Sequence, residues 1–153
     1  MILVTTGTNG APFDRLLRAV DSIESDEPVV VQHGPSQIRP AGATCVGYLS
    51  FDELVEQIRG ARVVITHGGV GSVVVALMHE RRPVVVPRLA RFGEAVDDHQ
   101  LAFGRRLRAD GLITLVDDVS RLGEALPRSD RHETPAIPST SRLAGDLGRY
   151  LAS

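Results

Sequence analysis

Val63-Val64-Ile65-Thr66-His67-Gly68-Gly69-Val70-Gly71-Ser72 is the stretch whose reading decides the fold. Four β-branched residues in a row suit a strand buried on both faces. The glycines that follow permit a tight turn, and the apolar residues after Ser72 can continue as a helix. A strand, a glycine turn and a helix start together aim backbone N–H groups, a helix dipole and a hydroxyl at one place. Such a place suits phosphate or diphosphate. The plainer alternative is a tight turn in which Ser72 only caps its own helix and His67 is an ordinary hydrogen-bonded strand-end residue. Val73-Val74-Val75 has strand propensity, which conflicts locally with a helix. The next apolar run, residues 83–86, resolves the conflict. Two neighbouring parallel strands need a crossover of a dozen or more residues. Residues 72–79 are therefore read as a largely buried helix with Ser72 at its N-cap.

Outward from this unit the pattern repeats. Strands are expected at residues 1–6, 28–32, 44–48, 63–66, 83–86 and 112–116, and helices at 12–23, 50–58, 97–108 and 118–126. Pro12 suits a first helical turn, and Ser50 with Glu53 forms a capping-box pattern. Alternating strands and helices predict an α/β fold: a Rossmann-like parallel sheet with helices on both faces. Residues 1–126 form one domain in this reading. Residues 127–140, rich in Pro, Ser, Thr and Arg, read as a linker. Residues 141–153 read as a C-terminal helix that packs on the domain or on a partner.

Composition narrows the function. A net charge of -2 gives no electrostatic case for nucleic acid or for an anionic membrane. The 17 basic side chains other than His are all Arg. A lone Cys45 rules out an internal disulfide and fits a reducing cytosol. No apolar run reaches the ~20 residues of a membrane span, and Met1-Ile2-Leu3-Val4 lacks a basic leader region. Any membrane location is expected to come through a partner.

The glycine turn is not a full dinucleotide fingerprint, because Val74 stands where the third glycine would fall. Nor is it a P-loop or a serine-hydrolase elbow. A second polar segment, Arg91-Phe92-Gly93-Glu94-Ala95-Val96-Asp97-Asp98-His99-Gln100, opens another helix. Its Asp97 and Asp98 could simply complement a helix dipole. Asp98, His99 and Gln100 also offer donors and acceptors for a hydroxyl-rich ligand, while the ligand count falls short of a metal site. The loops at Gly7-Thr8-Asn9-Gly10, residues 32–36 and residues 48–51 follow other strands. All these motifs thus fall on the carboxyl edge of the sheet, where open α/β sheets bind ligands.

The same residues resemble a known family. Val4-Thr5-Thr6-Gly7-Thr8, Pro12-Phe13-Asp14-Arg15-Leu16, the Ile65–Ser72 motif and the run from Val86-Pro87-Arg88 to Gln100 resemble small stand-alone family 28 glycosyltransferase C-terminal domains. These resemble subunits of bacterial exopolysaccharide or capsule transferases, and the cytosolic subunit of two-part UDP-GlcNAc transferases. The resemblance covers residues 1 to 116. It implies a single GT-B C-terminal-type domain and a UDP-sugar donor, with no cofactor and no metal. By the same resemblance His67, Gly68, Gly69, Gly71 and Ser72 would hold the diphosphate, and Asp98, His99 and Gln100 would lie near the donor sugar. Leu49 falls in the turn that lines the base, and Gly7 and Thr8 face the cleft. His67 and Gln100 are the expected catalytic residues. The resemblance further implies inversion at the anomeric carbon and an acceptor half supplied by a membrane-associated partner, which would also carry the general base. The chain would then sit in the cytoplasm, held at the inner membrane face by that partner, and without it the cleft face could pair with a second copy. Two departures stand out: Val75 occupies the position of a ribose-binding Glu in many relatives, with Glu80 too far along to replace it, and Arg62 stands where relatives often carry Asp. Val75 favours the alternative of a non-catalytic nucleotide-sugar-binding regulatory module. A flavodoxin-like domain for another phosphate ligand is the reading that rests on topology alone.

Overall fold

A computed structural model describes residues 1–128 together with Gly145 and Gly148. The strands are β1 (Ile2–Thr5), β2 (Val29–Gln32), β3 (Thr44–Val46), β4 (Val63–His67), β5 (Val84–Val86) and β6 (Thr114–Leu115). The helices are α1 (Asp14–Val20), α2 (Phe51–Gly60), α3 (Val70–Met78) and α4 (His99–Ala109). Short 3-10 segments lie at Ala90–Phe92 and Val119–Ala125. All strand pairs are parallel, in the order β3-β2-β1-β4-β5-β6. That is the order of a Rossmann sheet, and it reverses direction between β1 and β4.

Alternation along each strand explains why the sheet strands read as continuous apolar runs. Ile2, Val4, Val63, Ile65, Val84 and Val86 pack with Phe13, Leu16, Leu17 and Leu122 on the face covered by α1 and the Val119–Ala125 segment. Leu3 and Val64 pack with Ile58 and Ala76 on the opposite face, and Val85 packs there with Val73, Leu77, Phe103 and Leu107. The valines of α3 are helical because this second layer buries them, and tertiary burial outweighs their strand propensity.

Helix ends are set by side chains. The Ser50 hydroxyl accepts from the Glu53 N–H at 3.2 Å, and the Glu53 carboxylate accepts from the Ser50 N–H at 2.7 Å. At the other end of α2 the Arg81 guanidinium donates to the carbonyls of Ile58, Arg59 and Ala61. The expected cap of α3 is corrected. Gly69, in extended conformation, is the N-cap, and the helix starts at Val70. Ser72 sits inside the first turn, and its hydroxyl faces His67 instead of a backbone N–H. Several elements are also shorter than expected: β3 ends at Val46, α1 covers only Asp14–Val20, and the segment after Asp118 is 3-10. The expected linker beyond residue 128 and the helix at 141–153 lie outside the described residues, apart from Gly145 and Gly148.

Candidate functional site

Paired register brings Thr5 beside Thr66, so the loop that follows β1 faces the turn that follows β4. A cleft of about 400 Å³ opens there, at the reversal of strand order. Gly7, Thr8, Leu49, His67, Gly69, Gly71, Ser72 and Gln100 line it, as do Thr5, Asn9, Gln32, Tyr48 and Leu54. Gly68 lies behind this wall, where an added Cβ would fall 2.8 Å from the Gln100 Cβ. Asp98 and His99 stand outside the cleft. The Asp98 carboxylate accepts from the Ala90 N–H at 2.9 Å, and the exposed His99 ring pairs with Asp97 at 2.7 Å.

The turn after β4 is built around His67. The ring is only 8% exposed. Two glycines make room for it: a Cβ on Gly7 would sit 2.2 Å from its Nε2, and one on Gly69 would sit 2.1 Å from its Cε1. Gly7 also needs its glycine freedom, because its φ is +76°. The His67 Nδ1 accepts from the Gly69 N–H at 3.1 Å, and the Nε2 lies 3.1 Å from the Ser72 hydroxyl. Burial and the nearby Arg88 cation lower the imidazole from its ordinary 6.5 to about 4. His67 is therefore neutral at physiological pH.

The N–H groups of Gly68 and Gly69 are engaged inside the turn, by Gln100 at 3.0 Å and by His67. The first bond within α3 runs from Val73 to the Gly69 carbonyl. The N–H groups of Val70, Gly71 and Ser72 precede it and have no partner in the helix. Gly71 and Ser72 line the cleft, so their N–H groups, the Ser72 hydroxyl and the positive helix end lie along one edge of it.

Sequence reasoning missed the groups that hold this edge in place. Gln32, read only as a strand end, accepts at Oε1 from the Thr5 hydroxyl at 2.6 Å and from the Thr6 and Gly7 N–H groups at 3.1 Å. Its Nε2 donates to the carbonyls of Gly7 and Gly47, joining the loops after β1 and β3. Arg88 is fully buried over the Phe13 ring and donates to the carbonyls of Thr6, Ala11, Pro12 and Glu94. Glu94 binds Arg15 in a fork at 2.9 and 3.0 Å. A polar residue at the end of an apolar strand was the available signal for Gln32; Arg88 looks like a surface residue in sequence.

A larger concavity, about 820 Å³, lies between α1, the turn at 92–94 and Val119. Its Arg15 is already bound to Glu94, and its lining takes in none of the His67–Ser72 turn, so the smaller cleft at the reversal of strand order is the candidate site. Among the described residues no three His, Cys, Asp or Glu side chains are grouped to hold a metal ion, and no helix is long and apolar enough to cross a membrane.

Residues 1–141 match the glycosyltransferase family 28 C-terminal domain. The chain belongs to this family. Among curated proteins it is 28% identical over 138 residues to the UDP-N-acetylglucosamine transferase subunit ALG13 of Yarrowia lipolytica, covering 80% of this chain and 68% of that one. Among solved structures it is similar to the calicheamicin glycosyltransferase CalG4, with a TM-score of 0.64 and 19% identity. It is similar too to MurG of Acinetobacter baumannii, with a TM-score of 0.62 and 21% identity. These alignments take in 99% and 95% of this chain but only 43% and 48% of those proteins. At these identities the structures establish the Rossmann-like fold of GT-B glycosyltransferases, and this family 28 chain spans less than half the length of either.

Proposed function

We propose that this chain is the donor-binding half of a UDP-sugar glycosyltransferase, and that a membrane-associated partner subunit supplies the acceptor half. The observation that carries the reading is the start of α3, whose Gly71 and Ser72 line the switch-point cleft of a family 28 domain with N–H groups that have no partner in the helix. Breaking the bond between the anomeric carbon and the donor diphosphate leaves negative charge on the phosphate oxygen. Preorganised N–H groups at a helix start stabilise that charge as it develops, and the scheme uses no metal. The acceptor oxygen attacks from the opposite face with inversion, and its proton goes to a general base.

That base is expected on the partner. His67 has both ring nitrogens engaged and is too weak a base at about 4. No carboxylate lines the cleft among the described residues. The description of the Yarrowia relative as a subunit supports the same division. By this reading the acceptor is lipid-linked, and the chain works in the cytoplasm at the membrane face to which the partner holds it. Asp98 and His99 enter donor binding only if the loop at 93–98 closes over the sugar.

Calorimetric titration with UDP, UDP-GlcNAc, UDP-glucose and NAD, with and without Mg²⁺, tests the donor site. UDP-selective binding without Mg²⁺ is expected. In the complex with its partner, Ser72→Ala is expected to lower transfer by ~10- to 100-fold with assembly intact. Unchanged transfer would favour a non-catalytic nucleotide-sugar-binding module instead.

A further inference from the structure

Gln100 is turned inward. Its Oε1 lies 3.0 Å from the Gly68 nitrogen and 3.0 Å from the Arg88 nitrogen. Both are N–H donors, so the carboxamide oxygen belongs there and the orientation of the amide is decided. The NH₂ group is left facing the His67 Nδ1 at 3.3 Å. The Gly69 N–H reaches the same Nδ1 at 3.1 Å. A ring nitrogen facing two donors must carry its lone pair and no hydrogen.

We propose that Gln100 is a positioning residue that fixes His67 as the Nε2–H tautomer and thereby turns the Ser72 hydroxyl hydrogen toward the cleft. A neutral ring without a hydrogen on Nδ1 carries it on Nε2. That N–H donates to the Ser72 oxygen 3.1 Å away, so the serine must direct its own hydrogen elsewhere. The space left is the cleft edge shared with the N–H groups of Gly71 and Ser72. The ring cannot turn over to reverse the chain, because the backbones of Gly7 and Gly69 close on its two sides. A hydroxyl is both donor and acceptor. The relay from Gln100 through His67 makes Ser72 a donor, so every polar group on this edge presents hydrogen to an anion. This inference rests on the proposed reading of the cleft as a diphosphate site.

Gln100→Glu reverses the relay. One carboxylate oxygen still accepts from Gly68 and Arg88, but the other faces Nδ1 and demands a hydrogen there, at the expense of the Gly69 N–H bond to that nitrogen. Nε2 then becomes the acceptor, and the Ser72 hydroxyl turns inward. Nitrogen-15 spectra of the His67 ring, recorded in mildly alkaline buffer, are expected to show Nε2–H in the wild type and Nδ1–H in the variant. Affinity for UDP and for inorganic pyrophosphate is expected to fall about tenfold in Q100E, the loss of one charge-assisted bond. Ser72→Ala should weaken binding in the wild-type background and change little in Q100E. Nδ1–H in the wild type, or a reversed tautomer with unchanged affinity for both probes, would overturn the proposal. The wild-type spectrum and S72A alone decide the matter if Q100E does not fold. If the wild type binds neither probe, the donor-site reading fails and the hydroxyl's role with it, while an Nε2–H spectrum would still show the amide setting the ring.

Discussion

Two glycines of the turn serve different ends, although the sequence presents them alike. Gly69 is a packing residue: its missing Cβ is the space that the His67 ring fills, 2.1 Å away. Gly71 has nothing within 4 Å of its Cβ position. Gly69→Ala is therefore expected to destabilise the fold by roughly 1–3 kcal/mol through overpacking. Gly71→Ala is expected to be neutral or to gain up to about 1 kcal/mol from helix propensity. Urea unfolding of the two variants separates them, and equal losses would contradict the account. His67 also leaves a pH signature. The unfolded chain takes up its proton near 6.5, the folded chain only near 4. The unfolded state binds more protons between those values, so stability is full above about pH 6.5 and declines as the pH falls toward 4. The shift is worth on the order of 3 kcal/mol at most. In urea titrations across that window the decline should be shallower in His67→Asn. Glu27, lowered from 4.5 to about 2 by Arg62 and the chain amine, begins to cost stability as the pH falls toward 4.5, so the test is read above about pH 5.

Among the elements, α3 ends in an unusual way. Glu80 has a φ of +57°, with its N–H on the Leu77 carbonyl and the Arg81 N–H on the Ala76 carbonyl. This double closure normally carries glycine at the left-handed position. Glu80→Gly is expected to raise stability by about 1 kcal/mol, because the left-handed conformation costs a side chain about that much. A lower melting temperature in E80G would show that the Glu80 side chain itself holds the turn. Caps also mark what the sequence could convey. Ser50 and Glu53 are three apart at the start of an amphipathic helix, so their box was legible. Ser72 was misassigned because the apolar run from Val70 does not show where the first turn closes. Asp98, His99 and Gln100 are adjacent, yet helical geometry turns each about 100° from the last. Only Gln100 faces inward, and composition alone cannot choose among the three. Arg88 was illegible for another reason: its partners are carbonyls of loops distant in sequence, which no local pattern records.

For the whole molecule, the parallel sheet with its helix layers was the most legible quantity, while the strand order β3-β2-β1-β4-β5-β6 came from the structure. Short β-branched runs separated by crossover-length segments restrict a chain to a parallel sheet with layered helices, and ligand groups then gather at one edge. The same order has a consequence for how the protein is made. Among the six strands of the sheet, Ile2–Thr5 leaves the ribosome before the other five, and all four of its residues end buried. One neighbour is β2, but the other, β4, ends at His67, about 60 residues later. At ~5–20 residues per second, translation leaves that apolar strand with an open hydrogen-bonding edge for roughly 3 to 12 seconds. The nascent chain thus passes through a fixed interval in which that edge is open to pairing with another chain. The interval is set by topology alone, and faster folding of the finished domain would not shorten it.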